Sequence, residues 1–199
     1  MLLLDLLSTH CFACFGALVA LKARMKIWQV LVASMLTATG GGTVREIVLA
    51  SELLFWLDNL AYLIAVGLAL PLAMLLVKVP EIPPALGRAT VSAGTTIFIV
   101  VGALAALHSG CELPGVVIAG LCTGIGGGVL RQCILERGFD VYRNSVDFAA
   151  ALVTAVVSAW LIVGGMDPVL CVLLLCVHHF VLLKLLEQIY PNHGNLMET

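Results

Sequence analysis

Long apolar runs separated by short polar connectors set the pattern of this chain. Seven segments, at about 3–22, 27–50, 55–77, 90–107, 113–136, 146–164 and 168–186, each approach the ~20 apolar residues that one helical crossing of a bilayer needs. Runs such as Leu63 to Val77 are continuously apolar. They lack the strict alternation of a membrane barrel strand, so helices are the predicted elements. No Lys or Arg precedes Lys22, so the first segment lacks the basic start of a cleaved signal peptide and is expected to be retained.

Composition agrees with the pattern. Of 199 residues, 61% are hydrophobic and 11% charged, against roughly 45–50% and 25% in soluble domains. The expected class is therefore an all-α integral membrane protein of seven transmembrane helices, with little chain left for a soluble domain or a soluble partner. The net charge of −2 includes no basic patch suited to nucleic acid. The seven Cys, an odd number lying mostly in apolar stretches, read as small core residues. Lys22, Arg24, Lys26, Lys78, Arg88, Arg137, Arg143 and Lys184 all fall in connectors on one side. By the positive-inside rule the N-terminus is expected outside and the C-terminus in the cytoplasm, or lumenal and cytosolic if the membrane is that of a eukaryotic organelle.

The chain also repeats itself. Shifted by 86 residues without a gap, fifteen of the forty-one positions from Thr9 to Leu49 are identical, among them Phe12/Phe98, Thr37/Thr123 and Arg45/Arg131. The blocks Gly16-Ala17-Leu18 and Gly40-Gly41-Gly42 fall on Gly102-Ala103-Leu104 and Gly126-Gly127-Gly128 at that offset. With three spans in each half, the second copy enters the membrane upside down, as in inverted-repeat transporters. The expected division is residues 1–85 and 86–165 for the two repeats, and 166–199 for an unpaired packing helix and a short tail.

Two glycine triplets at matching depth predict kinked or unwound second and fifth spans that meet near the bilayer centre. Broken helices tolerate lipid only where protein or water covers them, so Gly40 to Gly42, Gly126 to Gly128, Thr37 and Thr123 are the candidate ion pathway. The alternative is that the glycines serve close helix packing alone. Arg45 and Arg131 each follow a triplet by three residues, and a cation there needs neutralising or must move as a gate. Glu46 or Asp58 is the expected partner of Arg45. Asp5 with Thr9 and His10, Asp147, and His178 with His179 read equally well as interfacial polarity. Cys11 and Cys14 form a CxxC without a second ligand pair, so no metal site is expected. No catalytic constellation is present, so an enzyme is not expected, and no cofactor is implied beyond permeant ions and bound lipid.

Phe15 to Met25 (FGALVALKARM), Thr37 to Leu49 (TATGGGTVREIVL), the second GALAAL and Thr123 to Leu135 (TGIGGGVLRQCIL) resemble the prokaryotic trimeric intracellular cation (TRIC) channels, a group also catalogued as glycine transporters. The resemblance implies a homotrimer with a pore in each protomer, lined by the second and fifth spans and permeable to potassium and sodium. It also implies a prokaryotic inner membrane, and the expected gating network is Asp5, Arg45, Glu46 and Arg131. Asp5, Thr9, Phe12, Ala13 and Gly16 match a family pattern in which Ser8 replaces a glycine. Glu46 and Gln132 stand where the family commonly has aspartate, and Val91 occupies the place equivalent to Asp5. The runner-up function is secondary transport of glycine or another small amino acid, its carboxylate held at helix N-termini after the breaks.

Overall fold

The computed structural model describes residues 2–50, 54–78, 84–134 and 145–189. These form α1 (Leu2–Lys22), α2 (Ile27–Val48), α3 (Phe55–Asp58), α4 (Leu60–Leu76), α5 (Pro84–His108), α6 (Leu113–Ile134), α7 (Ser145–Val163) and α8 (Pro168–Ile189). Six of them are long and apolar enough to cross a membrane, and α4 is a shorter apolar helix. The predicted third span thus divides. Asn59 takes an extended backbone and its side chain accepts from the Ala61 amide at 3.0 Å, capping α4 and detaching α3. The fourth span begins earlier than expected, at Pro84, and the proposed repeat boundary falls inside the first turn of α5. Arg137 and Arg143 lie outside the described residues.

Side chains are distributed as a lipid solvent demands. The buried set is small: Ala13, Ala17, Ala20, Ala33, Ala69 and Ala73 between α1, α2 and α4, and Ala103, Ala106, Ala119 and Ala159 between α5, α6 and α7. Many large aliphatics point outward, with Leu3 and Ile47 70% exposed, although Ile99 and Leu175 are buried. Against lipid there is no gain in hiding leucine, so small residues that let backbones approach fill the interior instead.

The packing pairs follow the 86-residue offset. α1 packs on α2 and α4, as α5 does on α6 and α7, while α1 meets α5 and α2 meets α6. Phe12 stacks on its own counterpart Phe98 at 4.9 Å. α8 lies against α5 and α7 as an outer packing helix. At one end of the bundle Arg88 at the start of α5 pairs with Glu187 near the end of α8 at 2.7 Å, which brings together two connectors that the charge pattern assigned to one side.

The turn leaving α1 is repeated after α5. The amides of Arg24 and Met25 donate to Leu21 and Ala20 at 3.0 and 3.1 Å, and those of Gly110 and Cys111 to Leu107 and Ala106 at 3.0 Å each. Gly110 enters the left-handed region at φ 78° without cost, whereas Arg24 is held there at φ 55°. Replacing Arg24 with glycine is therefore expected to raise stability by about 1 kcal/mol. Thermal unfolding in detergent checks it, and a lowered midpoint would mean that contacts of the arginine outweigh its strain.

Candidate functional site

The two glycine triplets meet. A Cβ on Gly41 would fall on the Thr123 carbonyl and 3.1 Å from the Cys122 oxygen. A Cβ on Gly127 would fall on the Thr37 carbonyl and 3.2 Å from the Leu36 oxygen, the same contact carried across by the offset. Gly126 and Gly40 complete the crossing, their Cβ positions lying 2.9 Å from the Gly41 Cα and 3.4 Å from the Gly127 Cα. Only residues without side chains permit two helices to touch backbone to backbone, so the triplets fix where α2 and α6 cross. Gly128 is half-buried in α6.

Of the kink or unwinding expected at the triplets, the unwinding is absent. α2 and α6 run as continuous helices through Gly40–Gly42 and Gly126–Gly128. Glycine weakens a helix by about 1 kcal/mol per residue, but the close crossing offsets that loss and the lipid surroundings penalise any freed carbonyl. Thr37 and Thr123 are buried, and their hydroxyls donate to Ala33 and Ala119 in their own helices at 2.6 and 2.7 Å. Gly16 and Gly102 lie against those side chains, so the threonines turn their hydroxyls away from the crossing and their carbonyls toward it.

Beyond the first triplet lies a closed polar cluster. The Arg45 Nη2 donates to Glu46 Oε1 at 2.9 Å, a pair only 8% and 11% exposed. Of the two expected partners, Glu46 and Asp58, it is Glu46 that the guanidinium meets, and its second oxygen, Oε2, accepts the Phe55 amide at 2.7 Å. The guanidinium sits 5.5 Å from the centre of the Phe55 ring, and that ring meets Tyr62 edge-on at 4.7 Å. The Tyr62 hydroxyl donates to Asp5 on α1 at 2.5 Å. Four of the elements, α1 to α4, are thereby tied together at one end of the bundle.

Phe55 and Tyr62 were not found by sequence reasoning. The available signal was weak: Tyr62 carries a hydroxyl into an apolar span, where it must find an acceptor. Nearby, the Trp56 Nε1 donates to Thr43 at 3.0 Å and fixes α3 on α2. Arg131 is placed apart from this cluster, on α6, with its guanidinium 4.9 Å from the centre of the Phe15 ring. His10 bonds the Ala65 carbonyl at 2.8 Å, joining α1 to α4. His179 is buried rather than interfacial, its Nδ1 2.7 Å from the Thr154 hydroxyl between α7 and α8.

The family model described as Glycine transporter matches residues 2–78 and 89–164. The inner membrane protein YadS of Escherichia coli K12, of the UPF0126 group, is 29% identical over 157 residues, covering 78% of this chain and 76% of that protein. A UPF0126 membrane protein of Deinococcus radiodurans is 31% identical over 174 residues, covering 83% of this chain and 77% of its own. Among solved structures, the trimeric intracellular cation channel orthologue from Rhodobacter sphaeroides superposes with a TM-score of 0.82 at 26% identity, over 96% of this chain and 97% of that one. A second TRIC cation channel, examined for the basis of its conductance, superposes at 0.81 with 22% identity over 94% and 93% of the two chains, a likeness of fold.

Proposed function

The chain belongs to the family described as glycine transporter, the prokaryotic TRIC channels, and from that premise we propose that it is a passive channel for potassium and sodium. The observation that carries the reading is the crossing of α2 and α6 at the two glycine triplets, flanked by an arginine already neutralised by its neighbour. The proposed route follows that seam within one protomer, past Gly40 to Gly42, Gly126 to Gly128 and the carbonyls of Thr37 and Thr123. Backbones in contact at the crossing describe a non-conducting arrangement, so conduction requires α2 and α6 to part. The cluster beyond the triplet sets two carboxylates, Asp5 and Glu46, against the one guanidinium of Arg45. That balance attracts cations, whereas a bare arginine repels them.

The proposal includes two inverted three-span repeats with α4 counted as a span, α8 as the unpaired helix, and an N-terminus outside the cytoplasm. It includes three copies per channel, the assembly named for the Rhodobacter sphaeroides relative. The matching contacts of Gly41 and Gly127 support the repeat, because the approach of Gly41 to Thr123 recurs at the 86-residue offset as that of Gly127 to Thr37.

The second reading, glycine transport, is favoured by the description of the family model. It needs helix N-termini after the breaks to hold a carboxylate, and the continuity of α2 and α6 leaves no such ends at either triplet. Planar bilayers holding the purified protein under a potassium chloride gradient decide between the readings. Discrete currents reversing near the potassium equilibrium potential are expected. Silent bilayers, with saturable glycine uptake by the same preparation in liposomes, would replace the channel with the transporter.

A further inference from the structure

We propose that Phe55 is the plug of the outer gate, and that Glu46 is the latch that holds it shut. The inference rests on the channel reading. Within the first triplet the glycines divide their work: Gly40 and Gly41 face α6, whereas a Cβ on Gly42 would meet the Phe55 ring, 2.5 Å from Cε1 and 2.9 Å from Cζ. The ring thus lies flush against the helix wall one residue beyond the crossing, in space that any other residue at position 42 would occupy. It covers the point where a route along α2 leaves the seam.

The ring is held by more than apolar contact. One oxygen of Glu46 takes the Phe55 amide and the other takes Arg45, so a single carboxylate fixes both the backbone of α3 and the cation that sits over its ring. Tyr62, anchored on Asp5, packs perpendicular to the same ring. α3 itself is one turn long and is joined to α4 through extended Asn59, so it moves as a small unit without unravelling a span. Hydrogen bonds to charged groups are strong enough to fix the closed state, and their loss moves a two-state equilibrium without altering the conducting path.

Single-channel recording of the full-length protein tests this with Glu46→Gln, Phe55→Ala and Gly42→Ala. Each is expected to raise the open-to-closed ratio about tenfold, and Phe55→Ala, which alters neither the seam nor a charge, is expected to keep the wild-type reversal potential. Glu46→Gln leaves Arg45 short of its counter-charge; if that variant does not fold, the other two carry the test. Gly42→Ala acts by pushing the ring off the wall and leaves every charge in place. Wild-type openings with unchanged open probability in folded Phe55→Ala and Gly42→Ala would overturn the gate and leave the channel standing. A wild-type protein that passes no current under any potassium gradient would overturn the channel reading itself, and the gate with it.

Discussion

Replacing Gly41 with alanine is expected to cost about 3 kcal/mol of stability, the upper end of overpacking penalties. The added methyl would land on the Thr123 carbonyl, with the carbonyl carbon 2.9 Å away. Neither atom belongs to a side chain that can swing aside, so α2 and α6 must separate along the crossing. The gain of roughly 1 kcal/mol in helix propensity from Gly to Ala does not offset this. Gly127→Ala is expected to behave alike, since its methyl would strike the Thr37 carbonyl. The double variant should lose less than the sum, because the first methyl already opens the seam that the second would strain. Gly67→Ala is the internal comparison: nothing lies within 4 Å of its Cβ position, and it should be neutral or slightly stabilising. Thermal unfolding in detergent ranks the variants, and equal midpoints for Gly41→Ala and Gly67→Ala would refute the backbone crossing. In bilayers both triplet variants should also show altered unitary current.

Glu46→Ala is expected to destabilise the fold by about 3–5 kcal/mol, the cost of stranding one member of a buried ion pair. Arg45 Nε is already buried without a hydrogen-bond partner, so the guanidinium depends on the carboxylate for its charge as well as its geometry. Removing both side chains in Arg45→Ala/Glu46→Ala should restore part of the loss, because the cluster then holds no uncompensated guanidinium. The contrast is Glu187→Ala at the other end of the bundle, where the partner Arg88 is 41% exposed. Exposed pairs are worth about 0–1 kcal/mol, and that variant should shift the unfolding midpoint little. If Glu46→Ala proved as mild as Glu187→Ala, water must reach Arg45 freely, and the cluster would not be the closed latch described above.

These two sites differ in how far they were legible beforehand. The helices were, because apolar length is dictated by the bilayer, and the described ends lie within a few residues of the expected ones except at Pro84 and Asn59. Asn59 was hidden because a single polar residue near a span boundary reads as surface, and only its contact with the Ala61 amide reveals it as a cap. The pairing of Arg45 with Glu46 was legible from adjacency and from the cost of an unpaired charge in lipid. The role of the triplets was legible in part: that they meet follows from the repeat, but that they meet as intact helices does not. Sequence counts the helix propensity that glycine forfeits and is blind to the partner surface that repays it.

What the chain alone determined is whatever one dimension and a known solvent impose: where the apolar helices run, the 86-residue sequence repeat and the positions that must be special within it. Hydropathy and offset are properties of a line. The tertiary structure decided which special residue faces which. It turned Gly41 to α6 and Gly42 to Phe55, although the two are neighbours in sequence, because successive residues on a helix point about 100° apart. It also brought Asp5 to Tyr62 across 57 positions, a contact between two polar groups that only packing in three dimensions, in a solvent unable to satisfy either, could select.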